Sequence, residues 1–237
     1  MLVYETMNEQ PFRFSAFNND LLRLPPEKFK YLVSTARVNR EIIMSGKVIK
    51  ISNNSFAYHL EMSETRELLV MNAYKTLFGY SIYTFEKNHK LRKIGWLKVN
   101  LKKNEFVLYE GEKDTIIVKY ANIMYDQKLF HDMEVIYTTE GDSVLERYNS
   151  NELDKIIRLA NKKPRYNKDR DLYTLNYNNM SIIPSERNFQ LVHPKLPDYI
   201  NLSFGANSEN DYKLNYSFPW NALQAFAISL TALLFES

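Results

Sequence analysis

Short runs of alternating apolar and polar residues cover most of the chain, which is the pattern of half-buried β-strands. From residue 41 onward, runs rich in β-branched and aromatic residues recur about every 8 to 14 positions between polar turns, as in a sandwich or barrel. The predicted strands cover residues 41–52, 56–61, 67–72, 80–86, 94–99, 105–109, 115–121, 133–137, 172–177, 189–193, 200–205 and 212–216. Residues 138–152 are predicted to form a loop, and 154–160 suit either a helical turn or a strand.

The end of the chain follows a different pattern. Residues 220–235 carry no charge and contain neither Gly nor Pro. Ala and Leu favour a helix, and Pro219 is suited to its first turn, so a helix starting at Pro219 is predicted. Its apolar residues fall on every face, which indicates burial on all sides. Sixteen residues span only about 24 Å of the ~30 Å bilayer core. Asn221 and Gln224 would also be costly in lipid, so we favour a helix enclosed by strands over a membrane anchor.

Residues 1–40 form an extension in which large apolar residues alternate with polar ones. The pair Pro25-Pro26 precedes a predicted short helix over residues 27–36. A segment with so many apolar residues is not typical of a disordered tail, so we expect it to pack on the barrel or on a partner. The predicted domains are therefore an extension over residues 1–40 and a barrel over 41–237.

Composition restricts the chemistry that the chain can perform. The 237 residues include no Cys, six Gly and four His, and the net charge is +3. Without Cys there is no disulfide framework, thiolate zinc site or cysteine nucleophile, and no glycine-rich phosphate loop is present. The start of the chain does not read as a signal peptide, which favours the cytoplasm. The histidines lack the spacing of metal ligands, so no metal or other cofactor is expected. The four histidines are His59, His89, His131 and His193.

Several short motifs follow one another in order along the chain. The run A-L-Q-A-F-A-I at 222–228 follows Tyr216 and Pro219. The other segments are I-G-W-L-K-V-N at 94–100, N-K-K-P-R-Y at 161–166, L-N-Y at 175–177, N-F-Q-L at 188–191, D-Y-I at 198–200 and F-G at 204–205. In this order and spacing they resemble the tubby C-terminal domain, most strongly from residue 161 onward and more weakly back to about residue 41.

The resemblance implies a closed antiparallel barrel of about twelve strands around the hydrophobic C-terminal helix, a mostly β architecture. The strand pattern and the buried-helix argument agree with it independently. The resemblance also implies a protein that is not an enzyme and that binds membrane phosphoinositide, especially the 4,5-bisphosphate. Members of this family often link membrane cargo to ciliary transport. The implied locations are the cytoplasm, the cilium and the inner face of the plasma membrane.

The resemblance places the lipid site on two neighbouring segments. Within residues 72–78, where the family has a basic run, this chain keeps only Lys75, and Lys98 stands for the family's Arg in I-G-K-L-R. Lys and Arg suit phosphate because they supply charge and several donors. Residues 87–103 compensate for the lost run with seven basic residues and no acidic one, a charge of +7. The candidate anion-binding residues are therefore Lys75, Lys90, Arg92, Lys93 and Lys98.

Other interpretations stay open. The basic stretch also suits a solvated hairpin or an acidic protein surface, whereas nucleic acid is disfavoured because a recognised motif is lacking and the total charge is low. If the lipid site has been lost, the barrel would be a scaffold in a large ciliary or cytoskeletal assembly, docked through residues 1–40. A relation to phospholipid scramblases is a further alternative, although the N-F-Q and A-L-Q-A-F-A-I motifs favour tubby. A second basic stretch, residues 162–170, is predicted to form a solvated loop.

Overall fold

The computed structural model describes residues 26–35, 37, 42–63, 65–86, 90–125, 128–138, 141–168, 172–178 and 180–235. Most of the extension predicted over residues 1–40 therefore lies outside the described residues. Lys87 and Arg170, which belong to the two basic stretches, and His89 also lie outside the described residues.

Fourteen strands are described, and twelve of them close into one antiparallel barrel. The first eight are β1 Met44–Ser52, β2 Ser55–Glu61, β3 Glu67–Thr76, β4 Gly79–Phe85, β5 Leu91–Val99, β6 Glu105–Glu110, β7 Lys113–Tyr125 and β8 Lys128–Tyr137. The others are β9 Ile157–Asn161, β10 Arg165–Asn167, β11 Leu172–Thr174, β12 Phe189–His193, β13 Leu196–Ala206 and β14 Asp211–Tyr216. The order around the barrel is β1-β14-β13-β12-β9-β8-β7-β6-β5-β4-β3-β2, with β10 and β11 paired separately. The predicted closed barrel is confirmed.

The predicted loop over residues 138–152 is wrong in one part, because a helix, α2 (Val144–Asn149), lies within it. Ser143 caps this helix by accepting a hydrogen bond from the Glu146 amide at 3.1 Å. The buried carboxylate of Asp114 on β7 in turn accepts hydrogen bonds from the Ser143 hydroxyl and the Leu145 amide. This tertiary anchor is not visible in the local pattern. The ambiguous residues 154–160 contain both alternatives, since a short 3-10 turn at Leu153–Lys155 leads into β9.

The C-terminal helix α3 (Ala222–Leu234) occupies the centre of the barrel, as the charge-free pattern predicted. Its side chains are buried from Ala222 to Ala232 with one exception, Gln224. The hydroxyl groups of barrel tyrosines make polar contacts in this core. The Tyr120 hydroxyl lies 2.8 Å from the hydroxyl of Thr231 on α3, and the hydroxyls of Tyr58 and Tyr216 lie 3.1 Å apart. In the described part of the chain, no helix has the length and apolar character needed to cross a membrane.

The helix begins at Ala222 and not at Pro219, which corrects the predicted start. Asn221 is the N-cap: its side-chain oxygen accepts a hydrogen bond from the Gln224 amide at 2.7 Å. The Gln224 side-chain oxygen accepts one from the Asn221 amide at 3.3 Å, which completes a capping box. Both amides belong to the set that a helix start leaves unpaired, so the capping box defines the start of α3.

The Asn221→Ala variant should lower the free energy of unfolding by about 1 to 2 kcal/mol, because it removes an N-cap. It also removes the hydrogen bond that the Asn221 side-chain amide donates to the Thr35 carbonyl at 3.3 Å. Urea unfolding measures the loss. Asn149→Ala, at an exposed site, is the control and should change stability by less than about 0.5 kcal/mol. If Asn221→Ala matches that control, the cap does not stabilise the helix.

A helix over residues 27–36 was predicted, and α1 spans Pro26–Thr35. It packs on the barrel of its own chain through Val33 and the fully buried Ser34. Two cation–π contacts hold it as well. The Lys30 ammonium lies 4.3 Å from the Phe85 ring centre, and the Arg92 guanidinium lies 4.3 Å from that of Tyr31.

Candidate anion-binding end of the barrel

Consecutive antiparallel strands alternate in direction, so every second turn lies at the same end of the barrel. The turns β1–β2, β3–β4 and β5–β6 share one end, called here the hairpin end. Backbone hydrogen bonds join the three turns: the Lys75 amide donates to the Asn54 carbonyl at 2.8 Å, and the Val99 amide donates to the Phe78 carbonyl at 3.0 Å. The opposite end holds α1 and the start of α3, and is called here the α1 end.

Lys75 and Lys98 are both exposed and lie at the hairpin end. They belong to adjacent rows of residues that pair across β3, β4 and β5. Lys75 pairs with Tyr80 on β4, and Lys98 pairs with the preceding residue, Gly79. Tyr80 pairs in turn with Leu97, and both are buried in the barrel core, so Lys75 belongs to the inner face of the sheet and Lys98 to the outer face. The two cations therefore flank the same rim, although 22 residues separate them in the chain.

Residues 72–78 form no open loop. They complete β3 and a two-residue turn at Leu77 and Phe78, with Asn72 and Ala73 buried within the strand. Gly79 makes this turn possible, because its φ is +147° and a Cβ there would lie 2.0 Å from the Leu97 carbonyl oxygen. The tight turn fixes the position of Lys75 relative to Lys98.

The structure does not bring Lys90, Arg92 and Lys93 to the hairpin end. Arg92 is at the start of β5, about 20 Å along the strand from Lys98. It packs on Tyr31 of α1 and lies 3.9 Å from the Glu86 carboxylate. The Lys93 ammonium lies 5.9 Å from the Trp96 ring centre. The described part of the basic stretch 87–103, residues 90–103, is thus divided between the two ends of the barrel, and Arg92 holds α1 in place.

Sequence reasoning missed Lys50 and included Lys102 and Lys103 only as members of the basic stretch 87–103. Lys50 lies beside the β1–β2 turn, and the other two lie in the β5–β6 turn. Together, the three hairpin tips (residues 50–55, 74–79 and 98–104) contain five lysines and no Asp or Glu. The acidic residues Glu209 and Asp211 are nearby on the β13–β14 hairpin, where Asp211 pairs with Ile49. Only strand register could have revealed this set, because its members are scattered along the chain. They are Lys50, Lys75, Lys98, Lys102 and Lys103.

In the second basic stretch, residues 165–167 form strand β10 and not a loop, while Arg165 and Lys168 are exposed as predicted. The Lys162 ammonium lies 3.9 Å from the Asp198 carboxylate. Among the described residues, no three His, Asp or Glu side chains come together in a way that could hold a metal ion. What the hairpin end offers chemically is a set of ammonium groups that attract anions and donate hydrogen bonds to them.

A closed twelve-stranded antiparallel barrel around a buried apolar helix is the architecture of the tubby-like barrels. The model of the Tub family matches residues 115–234, which is half of the chain, and the chain belongs to this family. The resemblance found in the motifs is thereby confirmed. The matched region begins in β7, whereas the closed barrel also requires β1–β6. The fold therefore includes the residues that precede the matched region.

Individual relatives match shorter parts. Tubby-related protein 1 of Mus musculus is 44% identical over 92 residues, which is 39% of this chain and 17% of the relative. Tubby protein homolog 1 of Caenorhabditis elegans is 37% identical over 90 residues, 38% of this chain and 21% of the relative. Protein king tubby 2 of Culex quinquefasciatus is 29% identical over 163 residues, 59% of this chain and 39% of the relative. The chain thus spans less than half the length of each of these relatives.

Proposed function

We propose that this chain is a non-catalytic adaptor that tethers to membranes by binding a phosphoinositide headgroup at the hairpin end. The observation that carries the proposal is the set of five lysines without an acidic residue on three adjacent hairpin tips. Lys75 and Lys98 are the residues that would meet the headgroup phosphates, because they flank one rim on adjacent rows. The cytoplasmic face of the plasma membrane and the cilium are the proposed locations.

The charge is sufficient for peripheral binding. Each basic residue near an anionic membrane contributes about 1 kcal/mol, so five would contribute about 5 kcal/mol. Because the Debye length is about 8 Å at physiological ionic strength, this attraction requires the tips to touch the surface and weakens with added salt. Selectivity for a bisphosphate would come from Lys75 and Lys98 reaching the same headgroup.

The Lys75→Ala/Lys98→Ala variant should bind vesicles containing about 5% phosphatidylinositol 4,5-bisphosphate roughly 30-fold more weakly, since two lysines contribute about 2 kcal/mol. Co-sedimentation measures the apparent Kd. The matched control is Lys90→Ala/Lys93→Ala, which removes the same charge away from the hairpin end and should leave the Kd within about twofold. An equal loss in both variants would mean that binding follows net charge and needs no particular site.

A scaffolding role is the second candidate. One observation favours it: residues 72–78 carry a single basic residue, and Asn72 and Ala73 are buried in β3. On this alternative, wild-type protein does not sediment with bisphosphate vesicles at physiological salt. It is instead recovered from cells in a large assembly that survives the same salt concentration.

A further inference from the structure

The hairpin end also exposes apolar side chains. Leu101 is 98% exposed, Leu77 86% and Phe78 58%, although Leu and Phe are among the residue types most often buried. Among the described residues, six exposed large apolar side chains lie in or beside the turns at this end. They are Ile51, Tyr74, Leu77, Phe78, Leu101 and Met124.

These apolar tips and the lysines are interleaved. Leu77 and Phe78 form the β3–β4 turn two residues after Lys75, and Leu101 stands between Lys98 and Lys102 in the β5–β6 turn. The backbone hydrogen bond from Val99 to Phe78 holds the two turns side by side. The result is a contiguous surface in which apolar side chains project between cations.

Both turns are held in fixed conformations. The Asn100 side-chain oxygen accepts hydrogen bonds from the Asn104 and Glu105 amides at 3.0 and 3.2 Å, which closes the β5–β6 turn beneath Leu101. The β3–β4 turn is closed by the pairing of Thr76 with Gly79. A surface that is already ordered loses little conformational entropy on binding. Contact between its apolar side chains and a partner therefore has a small entropic cost.

We propose that Leu77, Phe78 and Leu101 insert into the headgroup–acyl boundary of an anionic bilayer, while the lysines around them remain at headgroup level. The inference rests on the proposed function and adds to it how the domain holds the membrane. An anionic bilayer satisfies both components of the surface, because its interface buries apolar side chains to about 5–10 Å and its headgroups attract cations. The uniform positive charge of the three tips selects such a bilayer over a neutral one.

The test compares two variants in vesicles of phosphatidylcholine and phosphatidylserine without phosphoinositide. Leu77→Ser/Leu101→Ser should bind at least tenfold more weakly than wild type, with the charge unchanged. Leu91→Ser/Leu196→Ser, which alters the exposed leucines of β5 and β13 at the opposite end, is the control and should bind as wild type does. Wild-type binding by the tip variant would overturn the inference.

A direct measurement of depth uses Phe78→Trp. The added tryptophan fluorescence should shift to shorter wavelength on addition of these vesicles and should be quenched by brominated acyl chains. Trp96 and Trp220 of the wild-type chain provide the background to subtract. An added fluorescence that neither shifts nor is quenched would place residue 78 outside the bilayer and overturn the inference.

Calorimetry with soluble inositol 1,4,5-trisphosphate separates this inference from the proposed function. If both hold, the tip variant retains headgroup affinity and loses vesicle binding, whereas Lys75→Ala/Lys98→Ala loses both. If only the proposed function fails, wild type ignores the headgroup but still binds phosphatidylserine vesicles through the leucines. If the leucine variant loses a protein partner while its vesicle binding is unchanged, the surface is a protein interface and insertion is wrong.

Discussion

Replacing Phe226 by Ala should lower the free energy of unfolding by about 3 to 5 kcal/mol, the cost of a large cavity in a core. Phe226 lies on α3 with no exposed surface, and its ring centre is 5.8 Å from that of Tyr58 on β2. Strands surround the helix, and each is hydrogen-bonded to two neighbours, so the barrel cannot collapse onto the cavity. Because domains are stable by only about 5 to 15 kcal/mol, this one change would remove a large part of the stability.

Urea unfolding followed by far-ultraviolet circular dichroism measures this effect. The control is Leu101→Ala, at a position that is 98% exposed, where the change should stay within about 0.5 kcal/mol. A loss below about 1 kcal/mol for Phe226→Ala would show that the centre of the barrel is loosely packed. The helix would then be less enclosed than the structure shows.

Stability should fall steeply above about pH 10, because burial shifts the pKa of five tyrosines far upward. Burial raises the pKa of Tyr137 to about 12 and raises the pKa of the other four well above the ordinary value of a tyrosine, even though hydrogen bonds oppose the shift at Tyr120 and Tyr216. Below about pH 10 these phenols are neutral in both states and contribute no pH dependence. Above it, the unfolded chain releases protons that the folded chain retains, so stability decreases as pH rises. The five are Tyr58, Tyr120, Tyr137, Tyr177 and Tyr216.

Each such tyrosine lowers the free energy of unfolding by about 1.4 kcal/mol per pH unit, so five together lower it by about 7 kcal/mol per unit. Urea unfolding between about pH 8 and 11 measures the slope, and tyrosinate absorbance should rise together with the loss of circular dichroism. Tyr58→Phe/Tyr216→Phe is the matched variant. Their hydroxyls bond each other, so removing both leaves no unpaired partner and should reduce the slope by about two fifths. Full ionisation near pH 10 in folded protein would contradict the expectation.

The hydrophobic pattern was sufficient for most of the strands and for the central helix. Alternation with a period of two marks a strand with one buried face, and residues 220–235 carry no charge at any position. Both signals are local, which is why they can be read without the fold. The helix α2 was missed because Asp114, which is distant in sequence, anchors its cap residue Ser143. The start of α3 was misplaced although the capping box of Asn221 and Gln224 is local in sequence.

The anion-binding end depended on register and barrel closure. Arg92 and Lys98 are six residues apart on β5, which separates them by about 20 Å, so residues 90–103 could not form one patch. Arg92 lies at the α1 end, where it contacts Tyr31 of α1. Lys98 lies at the hairpin end, together with Lys75 and Lys50. The sequence by itself determined the family, the barrel and the buried helix, because local periodicity and ordered motifs carry them. Only the tertiary structure decided which lysines and apolar tips share a surface, because strand pairing brings together residues that are far apart in the chain.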